Sequence, residues 1–340
     1  MKVALKEDKS RRIADRQHNV HVASGIDPHS ATAIAPPSML SAFSVELTNR
    51  IANLHSRTET ILTEAIGKPY FCETGFFLYK GDSVELLSAL GENNFEVDLT
   101  LTSPPYNIGK AYEQEMTVEE YIAWCQTWMN QIYAVTKPAG AFWLNVGYFE
   151  VPGKGLCVPI AYLLWDKSQF YMLQEIVWKY GAGVSARSRL SPRNEKWLFF
   201  VKDQSNYTFN LDDIRDPNVK YPNQKKNGKY RCNPLGKNPS DVWEFPKVTT
   251  GSKRSSRERT GHPAQFPLGV VERVILASSN QAQVVFDPFA GSFSAGIAAY
   301  GLGRVAVGFE KDEEYCRLAV QRFKNFKEER KMAQSQLTLL

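Results

Sequence analysis

Ser103-Pro104-Pro105-Tyr106 closes the apolar run LTLT, and its residue types suit the holding of a planar aromatic amine. Proline has no N–H, so two in succession leave nearby carbonyls without a ladder partner. The Pro104 carbonyl and the Ser103 hydroxyl are both acceptors, enough for the two hydrogens of an exocyclic amino group. Held this way, the nitrogen can turn its lone pair, otherwise delocalised into the ring, toward an electrophile. Tyr106 offers a face on which such a ring can stack. A stiff turn beside a core tyrosine is the plainer use of these residues. The tetrapeptide ends a strand, however, and that is where α/β folds place their sites.

A second constellation lies in VVFDPFAGSFSAGIAAYGLGRVAVGFEKDEEY, residues 284–315. A strand ends at Asp287-Pro288, and a small-residue turn, Ala290-Gly291-Ser292, leads into a helix. A second strand ends at Glu310, 19 residues beyond Gly291. Glycine at such a turn lets backbone approach a ligand, and an acidic residue about 20 positions on can hold both hydroxyls of a ribose. A plain βαβ unit with a terminal carboxylate is the alternative. Phe293 stands where a dinucleotide pattern has its second glycine, and no Gly-Lys-Ser/Thr is present, which excludes a phosphate-gripping P-loop.

Other chemistries are closed off by composition. Four of the five histidines lie at or before His55, leaving only His262 in the main body for a metal site or triad. The five cysteines are scattered, never paired as Cys-x-x-Cys and never preceded by proline. That argues against zinc, against a disulfide framework and against the Pro-Cys nucleophile of cytosine C5 methylation.

Seven short apolar runs in the 340 residues read as the strands that would position these groups: FFLYK, VDLTLT, GAFWLNV, LQEIVWKY, KWLFFVK, QVVFDPF and RVAVGFE. Helical periods fall at 117–135, 266–277, 294–300 and 312–323, with an added helix within 42–66. The alternation predicts an α/β fold, a mostly parallel sheet with helices on both faces. LQEIVWKY and KWLFFVK lack a helix between them and suit an antiparallel edge pair. Patterning fades over 203–261, which reads as an inserted subregion with Tyr207, Phe209, Tyr221, Tyr230, Trp243 and Phe245 to pack it. Within it, residues 215–260 hold 12 Lys/Arg against 4 Asp/Glu, while the whole chain is only +5. A basic segment on a mildly acidic body points to a polyanion. The first 40 residues read as a polar extension without an apolar signal core, and no run is long and apolar enough to span a membrane, so a cytoplasmic location is expected.

Ser-Pro-Pro-Tyr together with Asp-Pro-Phe-Ala-Gly-Ser resembles the S-adenosylmethionine-dependent DNA amino-methyltransferases. The catalytic motif precedes the cofactor motif with a basic insert between them, which resembles the β class, and the likeness runs over residues 78–323. It implies a Rossmann-like seven-stranded sheet with an inserted DNA-recognition region. It gives the amine-holding role to Ser103, Pro104, Pro105 and Tyr106, and the cofactor pocket to Asp287, Phe289, Ala290, Gly291, Ser292 and Glu310. LYKGDSVELL resembles the strand-Asp segment near the adenine, placing Asp82 there. GHPAQFPLGVVERVI resembles the segment beside the methionine moiety, adding His262, Pro263, Ala264 and Phe266. The family usually has Gly where Phe293 stands, so that side chain must point away from the cofactor or narrow its site.

The resemblance further implies double-stranded DNA as partner, a base flipped from the stack, and a restriction endonuclease acting on the same site, in a prokaryotic cell or phage host. The protein is expected as a monomer or homodimer. The Ser form of the motif usually accompanies N4-cytosine methylation and the Asp form N6-adenine. Adenine, a non-catalytic DNA-binding relative, or a planar amine in RNA or protein stay open. Arg254, Arg257, Arg259, Lys225 and Lys226 are the expected DNA contacts, and the polar loop 181–196 is a further candidate. The expected divisions are 1–65 as extension, 66–202 as catalytic half, 203–261 as recognition insert, 262–330 as cofactor half and 331–340 as tail.

Overall fold

The computed structural model describes residues 36–91, 93–108, 116–181, 183, 185–248 and 256–338. Nine strands form one sheet: β1 (Phe71–Glu73), β2 (Phe76–Lys80), β3 (Val97–Thr102), β4 (Thr136–Val146), β5 (Tyr171–Lys179), β6 (Asn194–Val201), β7 (Val242–Glu244), β8 (Val284–Asp287) and β9 (Val305–Glu310). Their order is β1-β2-β9-β8-β3-β4-β6-β5-β7. From β2 across to β4 every pairing is parallel. β6 is antiparallel to both neighbours, β4 and β5, and β7 returns parallel to β5.

All seven runs read from the sequence are in this sheet. The two additional strands are its edges, three residues each, too short to show a period. β1 folds back on β2 through Thr74-Gly75, with Gly75 at φ 83°. β7 lies inside the basic insert and buries only Trp243, which stacks on Trp143 at 5.8 Å. The pair β5/β6 is antiparallel as expected, but β7 covers it, so β5 is not the edge.

The long helices are α1 (Val45–Ile66), α2 (Ser83–Gly91), α3 (Val118–Val135), α4 (Leu268–Ser278), α5 (Ser294–Gly301) and α6 (Glu313–Thr338). Thr117 starts α3 with a capping box: its side chain accepts from the Glu120 N–H while Glu120 accepts from the Thr117 N–H. Successive residues of β2 then sort the helices into layers. Phe76 and Leu78 face the core shared with α4, α5 and α6, whereas Phe77 and Tyr79 face α1, α2 and α3. β3 is buried at all six positions, as a parallel strand covered on both faces must be. α6 runs well past the expected end at 323, because Phe326 is buried and Arg330 lies over the Phe43 ring at 3.8 Å.

The basic insert is packed only in part. Trp243 is buried and Phe209 lies on Phe199, but Tyr221 and Tyr230 are each 62% exposed, against the expectation that these aromatics would pack it down. Among the described residues no helix is long and apolar enough to cross a membrane.

Candidate active site

The sheet brings the two motifs together. β3 and β8 are parallel neighbours, with Leu99 opposite Val285 and Thr100 opposite Phe286. Both motifs therefore leave the same edge side by side. A hydrogen bond joins them: Thr102 Oγ1 donates to Asp287 Oδ1 at 2.6 Å, and the Phe289 N–H donates to the same oxygen at 3.1 Å. Burial raises the Asp287 carboxyl from 3.8 to about 7, the two donors pulling the other way and the Glu310 charge adding to the rise.

Above this junction lies a cavity of about 410 Å³. Of the expected cofactor residues, Asp82, His262, Ala264, Phe266, Asp287, Phe289, Ala290, Gly291, Ser292 and Glu310 line it, as do Ser103, Pro104, Pro105 and Tyr106. Glu310 accepts the Gly291 N–H on one oxygen at 2.7 Å and the Asp312 N–H on the other at 2.8 Å. The Lys311 N–H acts on the same carboxylate as a third backbone donor, and lone-pair capacity remains for a ligand hydroxyl. Burial pushes this carboxyl up too, against those backbone donors. Asp82 stands before α2, accepting from the Val84 N–H at 3.0 Å and paired with Lys311 at 3.2 Å. Gly291 is left-handed at φ 52°, and a Cβ there would lie 2.7 Å from His262 Nε2, so only glycine fits beneath the imidazole. The reading of the sequence missed Trp124, Asp312 and Tyr315, which also line the cavity. Asp312 was the nearest to legible, two residues past Glu310.

Phe293 points away from this cavity. It is buried to 1%, its ring 4.9 Å from Phe76, with Gly296 and Gly308 leaving room for it. The cavity is not narrowed. The backbone nevertheless lies in the left-handed region that favours glycine, φ 52° and ψ 45°.

At the other end of the tetrapeptide a second cleft, about 1060 Å³, continues from Ser103 and Tyr106. Pro263 lines this cleft and not the first cavity. Asn145, unnoticed in the sequence because it sits within the apolar run of β4, one residue from its end, is fully buried here. Its Nδ2 donates to the Lys196 carbonyl at 3.1 Å, which turns Oδ1 toward Tyr106. Tyr106 Oη donates to that Oδ1 at 2.9 Å. The tyrosine's proton is then spent, so the 2.7 Å contact with Ser103 is a bond from Ser103 Oγ to Tyr106 Oη. Ser103 is left with its lone pairs outward, as an acceptor.

Of the expected DNA contacts, Lys225, Lys226, Arg257 and Arg259 line neither cavity. Lys225 and Lys226 form one strand of an exposed two-stranded hairpin with Lys229 and Tyr230, turned at Asn227-Gly228, both of positive φ. Arg257 and Arg259 are exposed on the segment leading to His262, and Arg254 lies outside the described residues. Arg189, from the loop 181–196, lines the larger cleft.

His55, Glu59 and Cys72 bring ligand-type atoms within 4.8 Å of one another. The Gly75 N–H donates to His55 Nδ1 at 3.2 Å, so the other nitrogen carries the proton and faces Glu59 and Cys72 as a donor. The grouping reads as a helix-to-hairpin tie.

A mostly parallel sheet, a cavity built on a Gly-turn and a distal carboxylate, and the Ser-Pro-Pro-Tyr turn beside it are the frame of a Rossmann-like methyltransferase. Residues 97–321 match the N6/N4 methyltransferase family, described as DNA methylase, and the chain belongs to that family. It is 57% identical over 285 residues to the Type II methyltransferase M.ScaI of Streptomyces caespitosus, spanning 82% of this chain and 93% of that one. It is 34% identical over 235 residues to the DNA adenine methyltransferase YhdJ of Escherichia coli K12, spanning 66% and 76%. Its fold is shared with the PvuII DNA methyltransferase (cytosine-N4-specific), at TM-score 0.60 and 19% identity, over 78% of this chain and 94% of that one. The family uses S-adenosylmethionine, and the Glu310 carboxylate at the cavity wall, the close approach at Gly291 and the apolar walls suit that molecule.

Proposed function

We propose that this DNA methyltransferase acts on the exocyclic N4 amine of a cytosine flipped out of double-stranded DNA, in a Type II restriction-modification system with a partner endonuclease. The observation that carries the reading is the bond chain from Asn145 through Tyr106 to Ser103, which leaves Ser103 an acceptor at the mouth of the cofactor cavity. Ser103 Oγ and the Pro104 carbonyl take the two amine hydrogens and Tyr106 flanks the ring. When bound, S-adenosylmethionine supplies an electrophilic methyl group. Glu310 and Asp82 orient its sugar and base end, and the His262 segment encloses the methionine end. The surplus proton of the methylated nitrogen leaves to water. Residues 203–261 act as the recognition insert, its lysines and arginines offsetting the cost of flipping through phosphate contacts.

Adenine N6 is the second reading, favoured by the 34% identity to an enzyme named as an adenine methyltransferase. The test is to treat duplex DNA with methyl-labelled cofactor and digest it to nucleosides. Label in N4-methyl-2′-deoxycytidine supports the proposal. Label only in N6-methyl-2′-deoxyadenosine replaces it with the second reading, and label in 5-methyl-2′-deoxycytidine overturns the mechanism.

A further inference from the structure

The larger cleft has a second wall that neither the cofactor nor the amine-holding tetrapeptide uses. Trp178 and Tyr180 at the end of β5, Glu195 at the start of β6, and Lys247 beyond β7 all line it. Lys247 Nζ donates to Glu195 Oε1 at 2.5 Å and lies 3.9 Å from the centre of the Tyr180 ring. The pair is not a solvated surface contact, for the Glu195 side chain is 14% exposed and that of Lys247 33%. It stands close to the tetrapeptide. A Cβ on Gly147 would lie 3.0 Å from Tyr106 Cε2 and 3.8 Å from Glu195 Cγ, so a single glycine separates the tyrosine ring from the ion pair.

An ion pair drawn this far from water contributes little net stability compared with apolar groups of the same shape. Its use lies in what it presents to the cleft. A lysine ammonium carries three protons and accepts nothing. Glu195 takes one of them and holds the nitrogen in place, and burial of the amine is outweighed by that carboxylate and Tyr180, so the charge is kept.

The chemistry of the target edge then matters. On cytosine the atoms following the N4 amine are N3 and O2, both acceptors. On adenine the amine is followed by one acceptor, N1, and then a C–H. We propose that Lys247, aimed by Glu195, donates to N3 and O2 of the flipped base and is the group that prefers cytosine to adenine. This rests on the N4-cytosine reading above. Lys247 is a specificity-determining residue in this account, and Glu195 a positioning residue.

The experiment is a cycle between side chain and base. Wild type and Lys247→Met are assayed on duplexes whose target is cytosine or 3-deazacytosine, in which N3 is replaced by C–H. The analogue also alters the amine, so the readout is the ratio between the enzymes. Wild-type kcat/KM is expected to fall at least ten times further than that of K247M on going to the analogue. Equal falls overturn the proposal. Lys247→Leu, which likewise has no N–H to donate, takes the place of K247M if circular dichroism shows that variant unfolded. Glu195→Gln is expected to lose part of the discrimination while cofactor affinity, read by calorimetry, stays within threefold. Nucleoside analysis of the wild-type product separates the two failures. Methyl on adenine removes the base reading itself, whereas methyl on cytosine N4 with equal falls removes only the role of Lys247.

Discussion

Replacing Phe293 tests whether a glycine's backbone has been kept under a phenylalanine's side chain. The residue is left-handed at φ 52° and ψ 45°, and its ring is buried against Phe76. Truncation to alanine removes a buried aromatic and should cost about 3–5 kcal/mol. Glycine removes one carbon more, which costs about 0.8 kcal/mol of burial, and frees the unfolded chain by about 0.4–1 kcal/mol. At an ordinary φ, Phe293→Gly would thus be worse than Phe293→Ala by roughly 1–2 kcal/mol. Relief of the left-handed strain, about 1–2 kcal/mol, should cancel that difference. The two variants are expected to unfold in urea within about 1 kcal/mol of each other. A second check uses Gly296, whose Cβ would lie 2.5 Å from Phe293 Cε1. Gly296→Ala should destabilise wild type strongly and the F293A protein much less. Calorimetry on Phe293→Leu should give an S-adenosylmethionine affinity within threefold of wild type. A glycine variant well below the alanine variant refutes the backbone argument, and a tenfold loss of affinity in F293L refutes the orientation of the ring.

Three further outcomes are expected. The Asp287 carboxyl, raised from 3.8 to about 7 by burial, is protonated more readily folded than unfolded, so its stabilising contribution is full below pH 4 and is lost as pH rises through 7. The swing is up to about 4 kcal/mol; Asp287→Asn should gain on wild type in urea titrations between pH 4 and 8, and a flat difference would refute the burial argument. Asn145→Ala unfixes Tyr106 and hence Ser103; single-turnover methylation should slow by about tenfold or more, the worth of one ordering hydrogen bond, with cofactor affinity unchanged. Lys225→Ala with Lys226→Ala should weaken DNA binding and lower the log–log salt slope by about 0.9 for each phosphate that is no longer neutralised, whereas an unchanged slope would show that the hairpin stays off the DNA.

The site was legible where chemistry sits in contiguous residues. Ser103 to Tyr106, the turn at Gly291 and the carboxylate at Glu310 could be read because each motif ends a strand and leans on neighbours in the chain. The strands themselves were legible because their apolar runs are bounded by turns. What was hidden depends on pairing across the sheet. Asn145 looks like a polar interruption of β4 until its amide is seen between Lys196 and Tyr106. Lys247 looks like one cation of a basic stretch, and its partner Glu195 lies 52 residues away. The edge strands β1 and β7 were invisible because three residues carry no period. Tyr221 and Tyr230 were misjudged because aromatic content alone does not say whether a surface is available to bury it.

The chain order of the motifs is immaterial to the reaction so long as the strands keep their neighbours. β3 divides the sheet: β8, β9, β2 and β1 lie on one side, and β4, β6, β5 and β7 on the other. The first group carries Asp287, Glu310 and the approach to Asp82, which line the smaller cavity. The second carries Asn145, Tyr180 and Glu195, which build the larger cleft. Ser103 to Tyr106 leaves the dividing strand and lines both spaces. In the proposed reaction a methyl donor held on one side and an aromatic amine held on the other meet at that strand's end. The bond from Thr102 to Asp287 fixes the distance between them across 185 residues of sequence. The geometry thereby gives a reason for the double proline: the segment must leave the ladder immediately after Thr102, and proline has no N–H with which to continue it, while the Pro105 carbonyl is taken by the Tyr121 hydroxyl at 3.0 Å.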